Sequence, residues 1–166
     1  YVKDGDTIAI DSGSTASLFA MALKARNFDS LSVITYSSEV FSILSECENY
    51  RITLLGGEYL PKEKLFYGFL THEAMQKLYF SKAFVVPSAL SVEDGAHDFI
   101  RETYENQCML ISHASEVFLL ADSTKFETKG DFKLSDLQPE YTIITDDKLP
   151  ESVYNMYRDH KLNVVN

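Results

Sequence analysis

Short apolar segments alternate along this chain with segments whose apolar residues recur at helical spacing. Predicted strands are Thr7–Asp11, Ser32–Thr35, Arg51–Leu55, Ala83–Val86, Val117–Ala121 and Tyr141–Thr145, with Leu162–Val165 as a candidate last strand. Predicted helices are Ser14–Lys24, Ser38–Glu46, Gly68–Leu78, Asp98–Ala114 and a short one after Pro150. The segments Glu58–Tyr67 and Pro87–His97 are predicted to be loops, because glycine, proline and charged residues interrupt them.

The alternation of strands and helices predicts the fold class. The strands are nearly continuous apolar runs, which is typical of a parallel sheet buried on both faces. We therefore expect an α/β fold with a mostly parallel sheet and helices on both faces. Right-handed crossovers place every strand-to-helix loop at one edge of such a sheet, where ligands bind.

Length and charge narrow the classes of protein that fit. The 166 residues are predicted to form one domain, 1–166, and the formal net charge is −10. No stretch rich in Lys and Arg is present, so the chain is predicted not to bind nucleic acid by itself. The chain begins shortly before its first predicted strand, and we interpret it as a domain separated from an N-terminal partner.

Targeting signals and cysteines bear on the cellular compartment. No apolar run approaches the roughly 20 residues of a membrane span, and the first residues lack the apolar core of a signal peptide. Cys47 and Cys108 fall in predicted helices outside any metal-binding spacing, so we interpret them as reduced core thiols. These features predict a cytoplasmic protein without membrane contact.

The turn Asp11-Ser12-Gly13-Ser14-Thr15 joins the first predicted strand to the first helix. Gly13 permits close approach of the backbone, and successive N–H groups at a helix N-terminus attract anions. This pattern predicts a phosphate site, and an ordinary helix cap explains the same residues.

Polar or small residues follow the next two strands as well. Tyr36 and Ser37 end the second strand, where a ligand contact and a helix cap are equally good interpretations. Gly56 and Gly57 end the third strand, either in a tight turn or beside a ligand, and Gly68 starts the next helix.

Two later loops carry charge. The acidic segment Ser91–Phe99 contains the turn residues Asp94 and Gly95, and its carboxylates either bind sugar hydroxyls or are simply solvated. Its histidine, His97, has no second ligand at a metal-binding spacing, so we expect no metal site. After the fifth strand, Asp122 and Lys125 are candidates for contacts with a phosphorylated ligand, and simple exposure of Lys125 to solvent is the alternative.

Taken together and in order, the segments IDSGST, VITYSS, LLGGEYLPKEKLFYG, EDG…FIRET, LLADSTKF and IITD resemble the effector-binding domain of DeoR-family transcription regulators. The resemblance spans nearly the whole chain. It implies a fold similar to ribose-5-phosphate isomerase and glucosamine-6-phosphate deaminase. It also implies a non-catalytic sensor of phosphorylated sugars or related metabolites, a homo-oligomer, no cofactor, and an upstream winged helix-turn-helix domain that contacts DNA.

The resemblance also implies effector-binding residues. Carried over by position, they are Asp11, Ser12, Gly13, Ser14, Thr15, Tyr36, Ser37, Gly56, Gly57, Gly68, Asp94, Gly95, Glu102, Asp122, Ser123 and Lys125. This chain departs from the family at Tyr36, at Pro87–Leu90, and at Asn106 and Gln107, where basic residues are usual. The loss of a cation near the site predicts weaker phosphate binding or a different effector.

Two other functions are compatible with the sequence. A sugar-phosphate isomerase or deaminase needs a placed general base, and Asp94 with Lys125 is the one plausible pair. An oligomerisation module with a relict pocket needs no ligand. The sensor is the preferred hypothesis.

Overall fold

The computed structural model describes residues 1–166 and contains twelve strands and five helices. The strands are β1 Thr7–Ile10, β2 Leu31–Thr35, β3 Tyr50–Leu54, β4 Glu58–Leu60, β5 Leu65–Tyr67, β6 Phe80–Val85, β7 Ala89–Ser91, β8 Gly95–Asp98, β9 Ala114–Leu120, β10 Phe132–Ser135, β11 Thr142–Ile144 and β12 Asn163–Val165. The helices are α1 Ser14–Arg26, α2 Ser38–Leu44, α3 Phe69–Met75, α4 Arg101–His113 and α5 Glu151–Asp159.

Seven strands form one fully parallel sheet in the order β12-β11-β9-β6-β1-β2-β3. The chain builds outward from β1 to β2 and β3, then returns to the other side of β1 with β6 and continues outward. The direction of winding therefore reverses between β1 and β6, which makes this pair the topological switch point. The predicted α/β class with a parallel sheet is confirmed.

Each face of the sheet carries its own apolar core, because successive strand residues point to opposite faces. On one face, Ile8, Ile10 and Phe118 pack with side chains of α1 and α2. On the other face, Ala9 and Leu119 pack with side chains of α3, α4 and α5. The helices thus lie on both faces, as predicted.

The two segments predicted to be loops contain strands, so these predictions were wrong. Strands β4 and β5 form an antiparallel hairpin, and β7 and β8 form a second hairpin that is extended by β10. The strands β4, β5 and β7 are only three residues long, too short for a clear alternating pattern. The partner β10 is also distant in sequence, pairing Lys133 with His97.

Several helix boundaries also differ from the prediction, and two of them change the assignment of a residue discussed above. Helix α4 begins at Arg101 rather than Asp98, because Asp98 belongs to β8. Helix α2 ends at Leu44, which leaves Cys47 in the following turn rather than in a helix. Cys47 and Cys108 are both free thiols and only half-buried. None of the five helices has the combination of length and apolar character that a membrane crossing requires.

Candidate functional site

A polar cleft of about 270 Å³ opens at the carboxyl ends of β1 and β6, directly at the switch point. Its lining consists of Ser12, Gly13, Ser14, Thr15, Glu63, Val86, Pro87, Ser88, Asp98, Ile100, Thr103, Asp122 and Lys125. These residues come from four segments of the chain, 12–15, 86–88, 98–103 and 122–125, and from the tip of the β4–β5 hairpin. Because carboxyl ends of parallel strands share an edge, segments far apart in sequence meet here.

The turn between β1 and α1 presents an open helix N-terminus to this cleft. Gly13 is the N-cap of α1, with φ 95° and ψ 175°, a conformation that is strained for any residue with a Cβ. No side chain caps the first turn, and no acidic residue lies in it. The first-turn N–H groups are therefore available to an anion, which the partial positive charge of the helix end favours.

The charged side chains of the cleft are one ammonium and three carboxylates: Lys125, Glu63, Asp98 and Asp122. Asp122 accepts a hydrogen bond from the Thr124 backbone N–H at 2.9 Å and so starts the 3-10 turn that carries Lys125. Asp98 is buried and accepts from the Ser88 hydroxyl at 3.0 Å. The cleft thus combines cationic and N–H donors with carboxylate acceptors.

Beneath the cleft, the carboxylate of Asp11 is completely buried. It accepts hydrogen bonds from the backbone N–H groups of Ser12 at 2.6 Å and Val86 at 2.8 Å, and from the Gln107 side-chain amide at 2.8 Å. The Tyr36 hydroxyl also donates to it. Burial raises the pKa of Asp11 to about 6, although these neutral donors oppose the rise.

Tyr36 and Gln107 support Asp11 and do not line the cleft. Both side chains are fully buried, and burial raises the pKa of the Tyr36 hydroxyl well above its ordinary value. The Gln107 amide also donates to the Val86 carbonyl at 3.0 Å, while its own carbonyl oxygen has no partner. Asp11 therefore ties the end of β1 to the loop after β6 and to α4.

The two positions where this chain lacks the family's usual basic residues, Asn106 and Gln107, also lie below the cleft. Asn106 is fully buried and donates to the Phe66 carbonyl at 2.9 Å, with its oxygen 3.0 Å from the Nε2 atom of His72. Because both side chains lie below the cleft, the lack of basic residues at these two positions removes no cation from the cleft lining. Weaker phosphate binding or a different effector stays a prediction.

Six of the predicted effector-binding residues meet in the cleft: Ser12, Gly13, Ser14, Thr15, Asp122 and Lys125. Two others, Asp11 and Tyr36, lie immediately beneath them. The residues that follow the first, second and fifth predicted strands thus meet at one edge of the sheet, as the fold class requires.

The remaining residues near the second and third strands lie outside the cleft lining. The Ser37 hydroxyl caps α2 by accepting from the Val40 backbone N–H at 3.2 Å. The Gly56 carbonyl accepts from the Thr71 hydroxyl at 2.9 Å, and a Cβ on Gly57 would lie 2.2 Å from the same hydroxyl oxygen. Close packing against α3 therefore explains Gly57, whereas a Cβ on Gly56 would meet no atom within 4 Å. Gly68 is the N-cap of α3.

The turn residues of the acidic segment, Asp94 and Gly95, also lie outside the cleft lining, although Asp98 of the same segment is part of it. Asp94 forms an ion pair with Lys129 at 2.9 Å, and a Cβ on Gly95 would collide with the Ser135 backbone. Glu102 lies in the first turn of α4, and the Ser123 N–H donates to a side-chain oxygen of Asp146 at 3.3 Å. Since Asp94 is absent from the lining that contains Lys125, the pair considered for an enzyme is not assembled.

Seven lining residues were not singled out from the sequence as ligand contacts: Glu63, Val86, Pro87, Ser88, Asp98, Ile100 and Thr103. The rule that ligands lie beyond strand ends could have identified Pro87 and Ser88, which directly follow β6. Asp98 was predicted to begin a helix and was considered only as one of the carboxylates of the acidic segment. No local signal brings Glu63 from its hairpin to the cleft. No group of three or more His, Cys, Asp or Glu side chains is arranged to hold a metal ion.

Comparison with known protein families gives a match to the DeoR C-terminal sensor domain over residues 1–147. The chain belongs to this family. The DeoR sensor domain therefore covers the whole cleft, including the β1–α1 turn and the loop that carries Lys125.

Curated relatives of this DeoR sensor domain include the lactose phosphotransferase system repressor of Lactococcus lactis, which is 38% identical over 148 residues. That match covers 89% of this chain and 58% of the relative. The HTH-type transcriptional regulator IolR of Bacillus subtilis is 24% identical over 165 residues, covering 99% of this chain and 64% of the relative. The chain thus spans only about three fifths of each relative's length.

Solved structures similar to the sensor domain include ribose 5-phosphate isomerases. The enzyme from Methanocaldococcus jannaschii matches with a TM-score of 0.53 and 18% identity, over 75% of this chain and 48% of that one. The Plasmodium falciparum enzyme has a TM-score of 0.53 and 14% identity, over 79% of this chain and 49% of that one. The likeness confirms the predicted isomerase-like fold.

Proposed function

We propose that this DeoR sensor domain binds a phosphorylated sugar or a related metabolite in the switch-point cleft, and thereby modulates DNA binding by a regulator of sugar metabolism. DNA contact belongs to a winged helix-turn-helix domain upstream of residues 1–166, which form the sensor unit. Ligand binding acts by favouring one conformation of the protein over another, without catalysis. Homo-oligomerisation and a cytoplasmic location belong to the same proposal.

The observation that carries this proposal is the uncapped N-terminus of α1 at the switch point. Its first-turn N–H groups face a cleft that also contains Lys125. An anionic group bound there receives backbone donors and a cation together. The names of the relatives support the same class of ligand, since several are repressors of a phosphotransferase system for a sugar.

The carboxylates of the cleft favour a ligand that also has hydroxyl groups. Asp98, Asp122 and Glu63 can accept hydrogen bonds from hydroxyls, but they repel a second anion. A monophosphate with several hydroxyl groups matches both the N–H and ammonium donors and the carboxylate acceptors of the lining. A neutral sugar leaves the N–H groups unused, and a bisphosphate brings excess negative charge to the carboxylates.

A thermal-shift panel of sugar phosphates, matched neutral sugars and inorganic phosphate tests this function. Binding to the folded state stabilises it by RT ln(1 + [L]/Kd), so a true effector raises Tm in a concentration-dependent way. We expect a shift with at least one hexose or pentose monophosphate and none with its neutral parent at the same concentration. Turnover of the sugar phosphate by the chain would instead support an isomerase-like enzyme.

Ser14→Glu tests the location of the phosphate. The variant places a carboxylate at the helix N-terminus that is proposed to hold the anion, so binding of the sugar phosphate should fall below detection in calorimetry. Ser42→Glu is the matched control, because it makes the same change in charge on the exposed surface of α2. Equal affinity in both variants would place the phosphate elsewhere. Substitution of Gly13 is a poorer test, because its positive φ would strain any replacement.

A further inference from the structure

The face of the sheet that carries α1 and α2 is only partly covered by helices. The helical residues of its core come from α1 and α2 alone, which follow β1 and β2 on one side of the switch point. The side chains of Phe118, Leu120 and Ile144, from β9 and β11, point to this same face on the other side. Helices α3, α4 and α5 contribute to the opposite core.

An apolar groove of about 530 Å³ runs along this partly covered half-face. Leu18 and Phe19 of α1 form one wall, and Leu120 and Ile144 form the floor. Leu18 is 66% exposed and Met21, one turn further along α1, is 53% exposed. A helix with apolar residues on its outer side as well as its inner side is normally packed on both.

The first residues of the chain already lie on this half-face. The ring of Tyr1 is 5.1 Å from the ring of Phe118, although Tyr1 itself is 64% exposed. Val2 packs against the same core before the chain turns into β1. A row of aromatic rings continues from Phe118 to Phe84 at 4.8 Å and to Phe19 at 4.3 Å. The chain therefore reaches β1 by crossing the open half-face.

We propose that the segment immediately preceding Tyr1 in the full-length regulator packs into the apolar groove as an amphipathic helix. This inference rests on the proposed function, in which a further domain precedes the sensor. The relatives are considerably longer than the match, and the matching family is a C-terminal domain, so their additional length includes residues before it. A chain that arrives across Tyr1 brings those residues directly to the groove.

The position of the groove gives this segment a role in regulation. Ser14, Thr15 and Asp122 line both the groove and the effector cleft. A segment packed in the groove therefore contacts the same loops that surround the effector. Effector binding that shifts these loops changes the packing of the segment, which connects the sensor to the DNA-binding domain.

Cysteine labelling tests the occupant of the groove. Leu18→Cys is made in the chain 1–166 and in the full-length regulator, each with Cys47→Ser and Cys108→Ala, and the rate of reaction with a maleimide is measured. We expect rapid labelling in the chain 1–166 and labelling at least about tenfold slower in the full-length protein, because packing protects the thiol. Phe69→Cys, at a position 74% exposed on α3, is the matched control and should react equally fast in both proteins.

Three outcomes would overturn the proposal. Equal rates for Leu18→Cys in the two proteins would show that the upstream segment does not cover the groove. Protection that disappears on dilution, or that occurs in the chain 1–166 at high concentration, would identify a second copy as the occupant. Protection of Phe69→Cys to the same degree would indicate a general loss of access. The labelling needs no effector, so a protected groove in a protein that binds no sugar phosphate would refute the proposed function alone.

Discussion

The two ends of strand β1 each place an aspartate beneath the surface, and their surroundings are opposite. At the amino end, Asp6 accepts from the Lys82 ammonium at 2.6 Å and from the Lys3 backbone N–H at 2.9 Å. Partial burial alone would raise the pKa of Asp6, but the hydrogen bond and charge of Lys82 hold it below its ordinary value. At the carboxyl end, Asp11 has only neutral donors, and burial raises its pKa to about 6.

This difference separates a structural edge of the sheet from the proposed binding edge. At the amino edge a buried cation neutralises the carboxylate, so the charge is compensated within the fold. At the carboxyl edge the Asp11 charge is held by dipoles alone, directly under the cleft. Such an arrangement positions the loops after β1 and β6 at a cost in stability, which is typical of functional sites.

The largest effect is expected at the amino edge. Lys82→Met leaves Asp6 without its cation, and we expect the free energy of unfolding to fall by about 3 kcal/mol in urea denaturation, because the Lys82 side chain is only 9% exposed. Lys77→Met is the matched control, since Lys77 pairs with Glu73 on the surface and should contribute less than about 1 kcal/mol. Similar losses of stability in both variants would contradict the distinction between the buried ion pair of Lys82 and the exposed ion pair of Lys77.

A smaller loss is expected at the carboxyl edge. Asp11→Asn places an amide N–H₂ group against the donors that now bind the carboxylate. Gln107 can rotate so that its unpartnered oxygen accepts from the new amide, but the Val86 N–H then loses its acceptor. We expect a loss of about 2 kcal/mol in the free energy of unfolding. The exposed residue Asp147 provides the control, and Asp147→Asn should leave stability unchanged.

Lys125→Ala should affect binding and not folding. We expect the affinity for a sugar phosphate to fall about tenfold, since a charge-assisted hydrogen bond is lost, while stability stays the same. Calorimetry is done with the sugar phosphate and with any neutral sugar that binds. Loss of a charge contact weakens binding of the phosphate alone, whereas a change in the shape of the cleft weakens binding of both. Lys129→Ala, outside the cleft, is the control. Equal losses for charged and neutral ligands would exclude a phosphate contact for Lys125.

The last prediction is the pH dependence of stability that comes from Asp11, which its shifted pKa makes about 2 kcal/mol between pH 4 and pH 7. The pKa of Asp11 is about 6 in the folded chain against an ordinary value of 3.8, so between these values the folded state binds more protons than the unfolded state. The contribution of Asp11 to stability is therefore present at low pH and is lost as pH rises through about 6. We expect the stability of the wild type relative to Asp11→Asn to fall from pH 4 to pH 7 in urea titrations. A stability difference that stays constant or rises with pH would show that burial does not dominate the pKa of Asp11.

The sequence predicted those parts of the site that depend on neighbours along the chain. A strand followed by Ser12, Gly13 and Ser14 was sufficient to identify a helix N-terminus, because N-caps form within a few residues. Only the structure shows that no side chain caps it. It could not identify the contact between Asp11 and Gln107, which lie 96 residues apart. Gln107 was instead interpreted as a missing cleft cation, since a side chain's direction depends on how its helix packs.

By itself, then, the amino-acid sequence determined the parallel α/β fold and the edge of the sheet where the cleft opens. Hydrophobic periodicity encodes each strand and helix locally, and the handedness of crossovers places their loops together. Only the tertiary structure decided which residues at that edge face the cleft. It buried Tyr36 under Asp11, paired Asp94 with Lys129, and brought Asp98 and Glu63 to the lining. Those choices depend on long-range packing and pairing, which no short stretch of sequence contains.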